Sequence, residues 1–185
     1  MKVRGTVSAC ARPVRAPGTL EYCVGYELVV RRVRGDGSEG RPAGDSACAD
    51  FELATDEGPV YVRASAASSL ALRKRASGRA GDVLDGSAFG RRGSPHPGAG
   101  TAVRLGVFQV GDNVVVWGQD DVEIRPDLPT DGYRTPPMRR LIVGDTENPV
   151  VVSNLPGAWL LDDPFLSRRA LLQRILRRRK ARSTE

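Results

Sequence analysis

Short strand-like segments recur along this chain at roughly ten-residue intervals, separated by turns rich in Gly, Pro and Asp. Residues 2–9 alternate apolar and polar side chains with the period of a half-buried strand. Residues 51–53 and 60–62 flank the turn sequence Asp-Glu-Gly-Pro and predict a hairpin. We therefore predict a mainly β fold over residues 1–156, a small antiparallel β-barrel that is OB-like or related.

The rest of this region continues the pattern. A long β-branched and aromatic strand is expected at 21–34, followed by a glycine-rich turn at 35–47. Residues 101–125 predict two or three strands with a turn at 118–121, and residues 138–154 predict a closing hairpin. The stretch 77–100 is rich in Gly, Pro, Ser and Arg, which predicts a flexible loop that is either functional or disordered.

The final residues, 157–185, differ from the rest and predict a basic amphipathic α-helix and tail. Asp162 or Asp163 can cap the helix, and Pro164 suits its first turn. From Pro164 onward eight basic residues face Glu185 alone, a net charge of +7, while residues 1–163 carry 20 basic and 21 acidic groups. The overall charge of +6 is therefore located in this segment.

Three interpretations of the basic helix remain open. It can pack on the barrel with its Arg side chains in water, bind anionic lipid, or contact phosphates or an acidic protein surface. The candidate partner-binding residues of this segment are Trp159, Phe165, Arg168, Arg169, Arg174, Arg177, Arg178 and Arg179. The loop adds the candidates Arg91, Arg92 and His96.

Catalytic chemistry has little support in the sequence. The single histidine, His96, lies between two prolines in the predicted loop, and no Gly-x-Ser-x-Gly motif occurs. Residues 35–40 match Gly-x-Gly-x-x-Gly without a following helix to bind phosphate. Adjacent carboxylates, including those at 120–121, are expected at turns or a helix cap. We predict no enzyme activity, no cofactor and no metal site.

The three cysteines have no metal-binding or redox spacing and are expected to be reduced. Cys23 lacks a nearby base in the sequence, and we predict a buried structural thiol there. The longest apolar runs are far shorter than a membrane span. We expect a cytoplasmic protein, with attachment to a membrane surface as the alternative.

Several short motifs, taken in order, resemble the GIDE-type or beside-a-membrane (BAM) domain family. The match covers most of residues 2–154, and its positions are Gly5, Val7, Pro17, Gly18, Cys23, Tyr26, Phe51, Leu53, Asp56, Gly58, Val60, Val62, Gly111, Asp112, Val114, Val116, Gly118 and Ser153. The family's flanking membrane helices are missing, and four Cys and His residues cannot supply the eight ligands of a RING. The resemblance implies a β-barrel-like domain that binds another protein or organises an assembly, without ubiquitin-ligase activity.

These observations favour a non-enzymatic protein-binding or scaffold module. An OB-like nucleic-acid-binding protein is one alternative, although residues 1–163 have a slight acidic excess and the chain is only 5% aromatic. A peripheral membrane protein anchored by the C-terminal helix is the other alternative.

Overall fold

Strands make up most of the part of the chain that the computed structural model describes, residues 1–18, 21–32, 42–65, 68–79, 101–124 and 138–160. In this part, the one helical element is a 3-10 turn at Ala158–Leu160. The strands are β1 Lys2–Ala9, β2 Val14–Arg15, β3 Tyr22–Cys23, β4 Gly25–Arg32, β5 Ala43–Cys48, β6 Phe51–Thr55, β7 Gly58–Val62, β8 Ser68–Ala71, β9 Lys74–Arg79, β10 Thr101–Phe108, β11 Asn113–Trp117, β12 Gln119–Ile124, β13 Met138–Val143 and β14 Val150–Ser153.

The strands form open sheets, which corrects the predicted barrel. An eight-stranded sheet has the order β12-β13-β7-β6-β1-β11-β14-β8, and a four-stranded sheet has the order β5-β4-β10-β9. Strands β2 and β3 form a separate pair. Two pairs in the large sheet, β13 with β7 and β14 with β8, are parallel. The prediction of a closed, wholly antiparallel barrel is therefore wrong.

The second element of the predicted fold class, the C-terminal amphipathic helix, does not occur among the elements of the described ranges. No α-helix occurs in the described ranges, where the chain ends in the 3-10 turn. Residues 161–185, where the sequence predicts that helix, lie outside those ranges.

The main core lies on one face of the eight-stranded sheet, where alternate side chains of each strand are apolar. Val7 of β1, Leu53 of β6 and Val116 of β11 are all buried there. Phe51 packs edge-on against Phe108 of the other sheet, with ring centroids 5.6 Å apart. The aromatic contact joins the two sheets within this main core.

A second apolar cluster lies on the opposite face of the same sheet. Val115 and Trp117 of β11 pack there with Val151 of β14. Residues 155–160 cross this face, and Ala158 is fully buried against the cluster. Because β11 and β14 are covered on both faces, their sequences are continuous apolar runs rather than alternating ones.

A buried carboxylate fixes the link between the two sheets. Glu27 of β4 is buried, and it accepts a hydrogen bond from the backbone N–H of Leu72, which follows β8. Arg104 of β10 donates to the carbonyl of Leu72 at 2.9 Å. The N–H and the carbonyl of Leu72 are thus both hydrogen-bonded to side chains of the four-stranded sheet. These bonds satisfy buried backbone groups at the point where the chain leaves the large sheet.

Gly118 makes a corner between β11 and β12. Its N–H donates to the carbonyl of Met1 at 3.1 Å, and its carbonyl accepts from the N-terminal ammonium of Met1 at 2.6 Å. A Cβ atom at this position would lie 2.5 Å from Cγ2 of Ile142 and 2.8 Å from the carbonyl oxygen of Val143. Only glycine fits, and the corner lets β11 pair with β1 while β12 pairs with β13.

The strand predictions have mixed outcomes. Strand β1 has the predicted bounds, and the β6–β7 hairpin is confirmed. The hairpin expected at 138–154 is wrong, because β13 pairs with β12 and β7, whereas β14 pairs with β11 and β8. The predicted turn at 35–47 contains the start of β5, and the predicted loop at 77–100 begins inside β9. Residues 80–100 of that loop lie outside the described ranges.

The corner predicts that Gly118→Ala destabilises the protein by about 1–3 kcal/mol, because the new methyl group overpacks against β13. Urea unfolding followed by far-UV circular dichroism measures the change. Gln119→Ala, at the next and exposed position, is the control and should stay within about 0.5 kcal/mol of the parent. An unchanged midpoint for Gly118→Ala would contradict the tight corner.

Candidate functional site: an exposed sheet edge

Of the partner-binding residues predicted from sequence, Trp159 alone lies in the described ranges. Its backbone carbonyl accepts a hydrogen bond from Nζ of Lys2 at 3.0 Å, and the guanidinium carbon of Arg4 lies 5.8 Å from its ring centroid. The residue is 47% exposed. Trp159 therefore makes contacts with β1 and leaves about half of its surface to solvent.

The other predicted contact residues lie outside the described ranges, so their assignment stays a prediction. In the C-terminal segment they are Phe165, Arg168, Arg169, Arg174, Arg177, Arg178 and Arg179, and in the loop Arg91, Arg92 and His96.

The thiol of Cys23 is buried, as the sequence predicted, and it donates to the carbonyl of Val14 at 3.5 Å. Burial raises its pKa from 9.0 to about 11. Burial also raises the pKa values of Cys48 and of the partly exposed Cys10. Thiols that hold their protons at neutral pH are poor nucleophiles, so these environments favour structural roles.

Exposed apolar side chains gather at the end of the large sheet, on β12 and β13. Val122, Ile124 and Met138 are 56%, 60% and 65% exposed. In the antiparallel register Ile124 lies opposite Met138, and Val122 lies opposite Arg140, so these side chains share one face. Ile142, two residues beyond Arg140 in the same strand, is fully buried in the core, and the exposed group is therefore an extension of the core face into solvent.

We call Asp120, Val122 and Ile124 of β12, with Met138 and Arg140 of β13, the edge surface. Strand β12 is the last strand of the eight-stranded sheet. Five of its six side chains are exposed, and the other, Glu123, is half-buried. In the described part of the chain β12 has one neighbouring strand, β13, so one side of its backbone has no strand partner among the described residues. Open strand edges accept further strands.

Ion pairs lie on both faces of the sheet at β12 and β13, and one group of them includes Asp120 and Arg140 of the edge surface. Arg140 contacts Glu57 at 2.7 Å and Asp120 at 3.2 Å, and these carboxylates raise its pKa. On the opposite face Glu123 pairs with Arg139 and, at 3.0 Å, with Arg63.

The guanidinium of Arg139 contacts two side chains on this opposite face, those of Glu123 and Tyr61. Its hydrogen bond is the main cause of the lowered pKa of Glu123. The guanidinium carbon also lies 3.8 Å from the ring centroid of Tyr61. The pairs hold the side chains in place and contribute little stability where they are exposed.

Two kinds of feature are not found in the described ranges, a metal-binding cluster and a membrane-spanning helix. No group of three or more His, Cys, Asp or Glu side chains there is placed to hold a metal ion. Likewise, none of the helical structure in those ranges is long and apolar enough to cross a bilayer.

Comparisons with protein-family models, with curated proteins and with solved structures give no match for this chain. The GIDE-type resemblance therefore stays a prediction from its motifs.

Sequence reasoning missed the edge surface because residues 118–121 have the composition of a turn. The structure places Asp120 and Asp121 in β12 instead, directly after the Gly118 corner. The available signal was the alternation of Val122 and Ile124 with acidic residues, which is a strand pattern.

The buried Cys23 thiol predicts that stability falls as pH rises from about 9 to about 11. In the unfolded chain the thiol ionises near its ordinary pKa of 9.0, whereas the folded thiol keeps its proton up to about 11. The stabilisation is complete below the lower pKa and is lost as pH rises through the higher one. We expect Cys23→Ala to show a shallower decline of the urea midpoint over this range.

Val24→Ala is the matched control, since it also shortens a buried side chain but removes no thiol. It should keep the parent's pH dependence. The parent's remaining decline comes from Cys10, Cys48 and Tyr26, whose pKa values are also raised. A Cys23→Ala curve as steep as the parent's would contradict the assignment.

Proposed function

We propose that this chain is a non-enzymatic, cytoplasmic protein-binding module that takes an extended segment of a partner protein onto strand β12. The observation that carries the proposal is the coincidence of an open strand edge with three exposed apolar side chains on one face, Val122, Ile124 and Met138. The cytoplasmic location rests on the sequence analysis alone.

The mechanism is strand addition. An extended segment beside β12 gains backbone hydrogen bonds from the open edge, and its alternate side chains cover Val122 and Ile124. Burying apolar surface stabilises the complex by roughly 25 cal/mol per Å². The ion pairs of Arg140 hold the base of the edge surface in position before binding, which lowers the entropic cost of docking.

A protein partner fits this edge better than a nucleic acid. Strand β12 carries three carboxylates, Asp120, Asp121 and Glu123, which repel phosphate groups. The exposed ring of Trp159 already has the guanidinium of Arg4 over it, 5.8 Å from the ring centroid. Single-stranded nucleic acids require a basic groove with free stacking surfaces, and β12 has the opposite charge.

The properties of the three thiols also support a binding function over a catalytic one. The raised pKa values of Cys10, Cys23 and Cys48 disfavour a nucleophilic role for any of them. The protein-binding role agrees with what the GIDE-type resemblance implies.

Peptide selection tests this function. Random ten-residue peptides displayed on phage are selected against the full chain, and the enriched peptides are synthesised. We expect Val122→Thr/Ile124→Thr to weaken their binding at least tenfold, since threonine preserves strand propensity and removes apolar contact. Biolayer interferometry measures the affinities, and hydrogen exchange should show that β12 amides become protected in the complex.

Val110→Thr is the matched control, because Val110 in the turn after β10 has the same 56% exposure as Val122. Its affinities should stay within about twofold of the parent's. Selected peptides that bind the double variant as tightly as the parent, or a selection without any binders, would overturn the proposal.

A further inference from the structure

The carboxylate of Asp121 occupies the open side of β12. Its Oδ1 accepts a hydrogen bond from the backbone N–H of Val122 at 2.8 Å. An amide that donates to its own preceding side chain is directed away from β13, toward the open edge. Since backbone groups alternate between the two sides of a strand, those of Asp120, Val122 and Ile124 lie along this edge. A docking strand needs the N–H of Val122 and must displace the Asp121 carboxylate from it.

The charge of Asp121 is also uncompensated among the described residues. Asp120 pairs with Arg140, and Glu123 pairs with Arg63 and Arg139. No described cation lies within salt-bridge distance of Asp121, which is exposed in the middle of the edge. An incoming strand therefore meets one free negative charge there, in contact with a backbone donor that the strand itself requires.

Resting on the proposed function, we propose that the partner segment carries a Lys or Arg directly opposite Asp121, next to apolar residues opposite Val122 and Ile124. Side chains directly opposite on neighbouring strands have Cβ atoms about 4.5–5.5 Å apart, within reach of an ion pair. When the partner's carbonyl takes the N–H of Val122, the displaced carboxylate pairs with this cation. A neutral residue leaves the carboxylate without a partner, and an acidic residue repels it.

The same charges disfavour a second copy of this chain as the occupant. Pairing β12 with its own copy brings Asp120, Asp121 and Glu123 beside the same residues of the other chain. Like charges on paired strands are destabilising. Acidic residues on an edge strand are a known means of preventing such self-association.

The partner segment has a definite pattern in each orientation. In an antiparallel complex it reads apolar, any residue, apolar, basic from its N-terminus. In a parallel complex it reads basic, apolar, any residue, apolar. Both patterns follow from the order of Asp121, Val122 and Ile124 along β12.

Two sets of three synthetic peptides, one set for the antiparallel pattern and one for the parallel pattern, test the inference with the full chain. They differ at the position opposite Asp121, which is Lys, Gln or Glu, and fluorescence anisotropy measures their dissociation constants at low and high salt. We expect the Lys peptide to bind at least fivefold more tightly than the Gln peptide and the Glu peptide to bind most weakly. High salt should reduce these differences.

The variant Asp121→Asn separates charge from shape, because its side-chain oxygen can still accept from Val122. We expect it to lose the preference for Lys over Gln. Glu147→Gln removes one exposed negative charge from the turn before β14 and should keep that preference. Equal binding of all three peptides to the parent would overturn the proposal of a cation opposite Asp121, but it would leave the proposal of strand docking intact. Absence of binding by every peptide would overturn both proposals.

Discussion

The absence of a side chain at Gly118 is the constraint on which the eight-stranded sheet depends. The peptide groups of this residue pair with Met1, while its α-carbon approaches Ile142 and Val143 too closely for a methyl group. One continuous stretch of chain thereby serves two distant positions, as β11 near the middle of the sheet and as β12 at its end. The corner thus connects a buried strand of the main core to the open edge on which the proposed function rests.

Local patterns in the sequence predict which residues face the core but not which strands are neighbours. Alternation in β1 and turn chemistry at residues 56–59 are sufficient to predict those elements. The hairpin predicted at 138–154 fails because both of its strands pair with partners far away in the sequence, β7 and β8 among them. Strand pairing at such separation depends on the whole core. The corner after Trp117, which decides it here, carries only a single glycine as its signal.

Strand β5 shows a second limit of sequence reasoning. Its sequence of Ala, Gly, Asp and Ser has low strand propensity and predicts a turn. It forms a strand because β4 offers a complete row of backbone partners from Gly25 to Val30. The candidate site escapes prediction for a related reason. Exposure of Val122 and Ile124 follows from the position of β12 at the end of the sheet, which cannot be read from those residues, whereas the conspicuous basic residues lie elsewhere.

Residues 155–160 cover Val115, Trp117 and Val151, and this contact limits where the chain can be truncated. A boundary after residue 156 would separate Ala158 from the sheet that buries it and would leave one face of β11 open to water. The shortest fragment that retains both apolar faces extends through the 3-10 turn at Ala158–Leu160. A truncation that removes the basic C-terminal segment must therefore begin beyond residue 160. A shorter fragment would expose the apolar surface around Trp117, which favours aggregation.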